Sequence, residues 1–400
     1  VDVVGIASVY DAVYQIKPRG AADIVAAREK DPGEAPRVWS LRILHTNDTH
    51  SHLEHAARLA TLIKQARAEA EAAGVPALLL NAGDVFTGTL YFTRFEGLSD
   101  AEVMNRIGYQ AMTLGNHEFD KGPKGLAKFL KALNFPVLAA NLEASREPQL
   151  RDLVSTDVAE GAEIQPGHVY PAIVLEVGGK RIGLFGLVTE ETKAISSPGE
   201  NVTFTDAIET ATRMVRILKD KRVDLIIALT HIGFDEDVKL AQAVPGIDVI
   251  VGGHSHTKLD RPSIVTGADG AQTVIVQASE HRKYLGQLDL ERTADGRFAR
   301  IEGTLIPTSQ KDENNQELIA ADPEIQALID GYDAEIKALK EQIVGETEVN
   351  LNGERVDVRT RETNLGDLIA DGMVAFARRF VPETQAAITN GGGIRASIPS

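Results

Sequence analysis

Short apolar runs recur along the chain from Ser40 to about residue 310: "LRILHT", "ALLLNAG", "AMTLGN", "FPVLAAN", "RIGLFGLV", "LIIALTH" and "DVIVGG". A strand with one wet face alternates apolar and polar residues, whereas runs this continuous suit strands buried on both faces. Loops follow them, and in places helical patterns such as "HAARLATLIKQARAEAEAA". Strands alternating with helices predict a layered α/β domain in which helices cover the sheets. Farther on, "TVIVQASEHRKYLGQLDLE" reads as antiparallel strand material.

The 400 residues exceed what one ordinary core holds, so several units are expected. Residues 1–38 read as the end of a preceding domain plus a linker, since "VAAREKDPGEAPRV" is charged and carries proline. The α/β domain is expected over 39–318. The segment "DPEIQALIDGYDAEIKALKEQI" has helical periodicity and a proline near its start, which predicts a connecting helix within 319–343. Residues 344–400 open a further unit, strand material followed by a helix from about Asn364. With no methionine at its start and a strand-and-glycine turn at its end, the chain reads as a piece of a longer protein.

A net charge of -16 argues against broad electrostatic binding to nucleic acid polymers or anionic lipid. A small anionic substrate stays compatible with it, provided bound divalent cations supply local positive charge. The absence of cysteine removes disulfides, thiolate metal sites and cysteine nucleophiles together. No apolar run approaches the roughly 20 residues that cross a bilayer.

Several of the apolar runs end in residues able to hold a metal. "ILHTNDTH" delivers Asp48 and His50, "LLLNAGD" delivers Asp84, "MTLGNH" delivers Asn116 and His117, and "IIALTH" delivers His231. A fifth run is followed by "GGHSH", with His254 and His256. Taken singly, each has an ordinary reading: Asp48 or Asp84 as a cap or turn former, Asn116 as a turn residue, His231 as a core-edge imidazole. Open α/β sheets bind ligands at the carboxyl ends of their strands, so five such ends can converge on one place. His55 and His168 fall outside this pattern and read as surface residues. His45 and His52 read as structural.

In this order, "NDTH", "NAGD", "GNHEFD", "LTHIG" and "GGHSH" resemble the calcineurin-like metallophosphoesterase superfamily, and "TNDTHSHLE" with "LGNHEFDKG" narrows the resemblance to the 5'-nucleotidase family. The resemblance covers roughly residues 41 to 400. It implies a metallophosphoesterase sandwich over 39–318 and the start of a 5'-nucleotidase C-terminal substrate-binding domain over 344–400. It also implies two divalent ions bridged by Asp84, with Asp48, His50 and His256 on one and Asn116, His231 and His254 on the other. Oxygen and imidazole donors suit Zn, Mn, Co or Fe. Such a pair of ions activates water and clamps the oxygens of a phosphate ester during hydrolysis.

The resemblance further implies that His117 is no ligand, and that it stabilises the transferring phosphoryl group with Asp120 fixing its orientation. The competing reading makes His117 a cap of the next helix. Arg359, Asn390 and Arg395 match the family's substrate positions, and arginine suits phosphate because its planar fork donates paired hydrogen bonds. The implied activity is hydrolysis of nucleoside 5'-monophosphates, extending to 2',3'-cyclic nucleotides, at an extracytoplasmic location. A nucleotide-sugar pyrophosphatase and a thiosulfate-ester hydrolase are the enzymatic alternatives, and a non-catalytic surface binding module is the alternative of another class.

Overall fold

The structure, a computed structural model, describes residues 38–267 and 270–400 together with the backbone of short strands within 2–25. The expected linker at 25–38 lies almost wholly outside the described residues. The chain divides into two compact units, Val1–Ser40 with Leu290–Ile301, and Leu41–Asp289 with Glu302–Ser400. In the first unit, Ile6–Tyr10 and Val13–Lys17 pair antiparallel, as do Asp2–Val3 and Ile24–Val25.

Two seven-stranded sheets dominate the rest. In one, Val38–Thr46, Ala77–Asn81, Ala111–Thr113 and Val137–Leu138 run parallel as successive neighbours. In the other, Lys180–Val188, Leu225–His231, Val249–Val251 and Gln272–Val276 do the same. The continuous apolar runs are these strands, and they are buried on both faces as expected: every residue of Leu225–His231 is buried. Gln272–Val276 departs from the antiparallel expectation. It is parallel to Val249–Val251 and antiparallel only to Ser263–Thr266, because it sits inside the sheet with a neighbour of each kind.

Side-chain alternation along the strands divides the burial between two layers. Leu44, Leu79, Met112 and Val137 join a core with the Ala56–Ala72 and Leu98–Ile107 helices. Phe185, Leu187, Ile226, Ala228 and Ile250 join a second core with the Ala207–Asp220 and Phe234–Ala243 helices. Alternate residues such as Ile43, Leu78, Leu80, Ile227 and Leu229 are equally buried and face the other way. There the sheets meet closely, and a Cβ at Gly186 would fall 2.4 Å from the Leu138 backbone. The resulting layers run helix, sheet, sheet, helix, and the parallel strands of both sheets end along one edge.

The connecting helix spans Pro323–Lys340. Asp322 caps it by accepting the Ile325 N–H, and Pro323 sits at the first turn, where its missing N–H costs nothing. Ile325, Ile329 and Ile336 bury one face against the core of the helical layer. Full burial of such a side chain stabilises by about 1.5–3 kcal/mol. Tyr91 donates to Asp333 at 2.8 Å and Tyr332 donates to Glu102 at 2.6 Å, so polar groups fix the same face. Beyond it lie the helices Arg355–Thr360 and Asn364–Ala377. Among the described residues no helix is long and apolar enough to cross a membrane.

Candidate metal and phosphoester site

The strand ends converge. Asp48, His50 and His256 offer donor atoms within 4.8 Å of one another, as do Asp84, His231 and His254. Asn116 joins the second group through its Oδ1, 2.9 Å from His254 Nδ1. The groups abut: His231 Nε2 lies 3.0 Å from Asp84 Oδ2 and 3.9 Å from Asp48 Oδ1, and His50 Nε2 lies 3.8 Å from Asp84 Oδ2.

The backbone is bent to achieve this. Asp48, His50, Asp84, His254 and His256 have φ of 49°, 48°, 55°, 75° and 57°. Few residues other than glycine adopt this region, and they persist there only where their surroundings hold them. Here the Asp48 N–H donates to the Gly83 carbonyl and the His50 N–H to the Asp84 carbonyl, which locks the first two strand-end loops together. The His254 N–H donates to Asp48 and brings in the fifth strand. Gly253 lets that loop approach, since a Cβ there would lie 2.5 Å from the Ala82 carbonyl oxygen.

The charges of the cluster are tightly linked. Burial by itself would raise both carboxyls, but the imidazoles outweigh it: His231 and His117 hold Asp84 well below its usual range, and His256 with His231 brings Asp48 down to about 2. Burial works to discharge His231, yet Asp84 and Asp48 push it up to about 10. Burial holds His50 down to about 3 and, helped by the His231 charge, His254 down to about 4. Two ionised carboxylates thus share a buried pocket with His50 and His254, which burial keeps neutral, and with His231, whose proton they hold in place and which a divalent cation would displace.

A second group of polar side chains lies next to this cluster. His117 Nδ1 is 2.6 Å from Asp120 Oδ2, and Asp120 is itself held by Thr87 Oγ1 at 2.5 Å and Ser196 Oγ at 2.8 Å. A cleft of about 700 Å³ opens over Asp84, Asn116, His117, His254 and His256. Its opposite wall carries Arg355, Arg359, Asn390 and Arg395. Arg395 Nη2 reaches His117 Nε2 at 2.6 Å and Arg355 Nη1 reaches His256 Nδ1 at 2.5 Å.

Comparison with known proteins agrees with this geometry. The calcineurin-like phosphoesterase family matches residues 41–258, and the 5'-nucleotidase C-terminal domain matches residues 343–400. The chain is 42% identical to the trifunctional nucleotide phosphoesterase protein YfkN of Bacillus subtilis (strain 168), covering 90% of this chain and 25% of that protein. It is 38% identical to the 5'-nucleotidase of Bos taurus, covering 91% of this chain and 66% of that one. The crystal structure of a 5'-nucleotidase precursor from Thermus thermophilus superposes with a TM-score of 0.76 at 40% identity, covering 90% of this chain and 71% of that chain. The chain belongs to the 5'-nucleotidase family of the calcineurin-like phosphoesterases. It spans a quarter of the length of the first of these relatives and about two thirds of the second.

This family implies divalent metal ions, and the residues fit them. His231 is fully buried, and its Nδ1 donates to the Ala82 carbonyl at 2.7 Å. Its Nε2 therefore turns toward the carboxylates and makes no hydrogen bond there. A buried imidazole nitrogen oriented by its other N–H and aimed between two carboxylates is the donor arrangement that metal sites use. His50 repeats it, with Nδ1 2.9 Å from the Phe86 and Thr87 carbonyls and Nε2 facing inward.

All of the residues singled out in the sequence line this one place: the seven strand-end donors, His117 with Asp120, and Arg359, Asn390 and Arg395 across the cleft. His168 and His55 lie apart from it, at a Pro166 carbonyl and on a short turn. His45 is buried within its strand. Sequence reasoning missed Arg355, Glu280 and Glu118. Glu280 Oε2 lies 3.1 Å from His256 Nδ1, and Glu118 underlies two of the loops. Arg355 stands four residues before Arg359, one helical turn away, and that spacing was the available signal.

Proposed function

We propose that this chain carries a dinuclear metal phosphohydrolase site acting on nucleoside 5'-monophosphates, with 2',3'-cyclic nucleotides as further substrates. One observation carries the reading: within one cleft, three arginines face a cluster of carboxylates and imidazoles suited to divalent ions. In a chain of net charge -16, such a group of arginines is the local positive charge that an anionic ester needs.

Asp84 serves both ions, Asp48, His50 and His256 complete one set, and Asn116, His231 and His254 complete the other, with Zn, Mn, Co or Fe as the metal. When bound, the ions supply Lewis acidity toward the phosphoryl oxygens and activate water. Arg355, Arg359 and Arg395 grip and orient the phosphoryl group by charge-assisted hydrogen bonds, and Asn390 adds a neutral contact. His117, oriented through Nδ1 by Asp120, presents Nε2 to the phosphoryl group and the leaving oxygen. The division of labour follows the expected domains, metal chemistry from 39–318 and substrate contacts from 344–400, joined by the helix within 319–343. An extracytoplasmic location belongs to the same reading, and fractionation of the producing cells tests it.

The deciding experiment measures the products formed by the metal-loaded chain: phosphate from AMP and an aryl phosphate, the ring-opened monophosphate from a 2',3'-cyclic nucleotide, a nucleoside monophosphate and sugar phosphate from a nucleotide sugar, and sulfate from a thiosulfate ester. Chelator-sensitive release from AMP is expected. Turnover confined to the nucleotide sugar or the thiosulfate ester moves the assignment to that chemistry. Nucleotide binding with no turnover of any compound makes the chain a binding module.

A further inference from the structure

Glu118 is fully buried directly beneath the strand-end loops, and its carboxylate accepts four backbone N–H groups. Oε1 takes those of Val85 at 2.7 Å and Phe86 at 3.2 Å. Oε2 takes that of Asp84 at 3.0 Å and, from the neighbouring strand end, that of Gly115 at 2.6 Å. The connection is reciprocal, because the His117 N–H donates to Asp84 Oδ1 at 2.9 Å. The Asp84 side chain thus reaches into the 115–118 loop while the Glu118 side chain reaches into the 84–86 loop.

This clasp holds an arrangement that neither loop adopts cheaply. Asp84 has a φ of 55°, which a non-glycine residue keeps only under restraint. The loops are also in backbone contact, since a Cβ at Gly115 would lie 2.6 Å from the Asp84 backbone nitrogen. Both Glu118 oxygens face N–H donors, so a proton on either one would aim its own hydrogen at a donor.

We infer that Glu118 is a positioning residue that sets the spacing between Asp84 and Asn116, and so makes the ion held by Asn116, His231 and His254 bindable. That ion draws on both clasped loops. The ion held by Asp48, His50 and His256 draws on Asp84 alone among them. A glutamine at 118 keeps the shape and fails the chemistry: in either amide orientation its NH₂ faces two N–H donors. Groups that orient metal ligands typically contribute 10- to 100-fold in affinity.

The inference rests on the two-ion reading above. Metal content is measured after equilibrium dialysis against graded free Mn, for the wild-type chain and for Glu118→Gln, with circular dichroism as the check of fold. The wild type should take up two ions. Glu118→Gln should keep one at nearly unchanged affinity and bind the other about 10- to 100-fold more weakly. If the variant binds two ions as the wild type does, or loses both in parallel, the positioning role is wrong while the two-ion reading stands. A wild-type chain that takes up a single ion overturns both. Amide hydrogen exchange on the wild type covers the case in which the variant does not fold. The N–H groups of residues 84–86 and 115 should then be among the slowest to exchange, and exchange at the rate of open loops overturns the clasp.

Discussion

Arg395 Nη2 stands 2.6 Å from His117 Nε2, and on the other side of the same ring Nδ1 stands 2.6 Å from Asp120 Oδ2. A guanidinium offers only donors, so this contact is a hydrogen bond while Nε2 is unprotonated, and the ring proton then sits on Nδ1, toward the carboxylate. Both ring nitrogens are engaged, which leaves His117 no lone pair for an ion although it lies within reach of His50 and Asp84. His117→Ala should therefore retain its metal and lose about 10²- to 10⁴-fold in turnover, the usual contribution of a proton-transferring side chain. Metal content and phosphate release on one preparation check this, and a metal-depleted variant would make His117 a ligand.

Asp84 faces both donor groups, and its removal should be felt by both ions. Asp84→Ala is expected to lose the two together, whereas Asp48→Ala should chiefly lose the ion shared with His50 and His256. Metal stoichiometry after dialysis separates the two patterns.

Arg355 was not singled out by sequence, yet it stands at His256 on the arginine wall of the cleft. Hydrogen bonds to charged groups contribute about 1.5–3 kcal/mol, equivalent to roughly 10- to 150-fold. Arg355→Ala should raise KM for AMP within that range and leave metal content unchanged. Equal KM values for the two proteins would remove Arg355 from the substrate contacts.

Arg282 and Asp100 form an ion pair at 2.7 Å with side chains 1% and 0% exposed. Arg282 also donates to the His52 carbonyl, and Asp100 accepts from Ser51 Oγ, so the pair supports the loop that follows Asp48 and His50. Removing one partner leaves a buried charge uncompensated, a loss of about 3–5 kcal/mol. Urea unfolding of Asp100→Ala should show a destabilisation of that size, and a change below about 1 kcal/mol, the worth of an exposed pair, would refute the supporting role.

Asp237 is buried under the "GGHSH" loop. Its Oδ1 accepts from Thr230 Oγ1 at 2.6 Å, and its Oδ2 has no hydrogen-bond partner. Burial pushes its carboxyl from 3.8 up to about 8. The folded chain therefore holds a proton that the unfolded chain has released, and this contribution to stability is complete below pH 3.8 and lost as pH rises toward 8. Asp237→Asn cannot ionise, so its unfolding midpoint in chelator should fall less between pH 5 and pH 8 than that of the wild type. Parallel falls would show that Asp237 does not titrate across this window.

The apolar runs and the residues at their ends were legible in the sequence because both signals are local. A strand buried on both faces must be continuously apolar, and parallel strands present their carboxyl ends along one edge. From this Asp48, His50, Asp84, Asn116, His231, His254 and His256 could be expected together, while their sorting into ion sets and the choice of Arg359, Asn390 and Arg395 came from family resemblance. Only the tertiary structure decided what supports them. Nothing in the sequence around Glu118 sets it apart, and only in the folded chain do four N–H groups from two loops close around it. Arg282 and Asp100 are 182 residues apart, and nothing in the neighbourhood of either announces the other. The left-handed backbone of Asp48, His50, Asp84, His254 and His256 runs against local preference altogether. Local patterning determines which residues arrive at a strand end. The direction in which a side chain points on arrival depends on hydrogen bonds to loops far away in sequence, and those exist only once the sheets have packed.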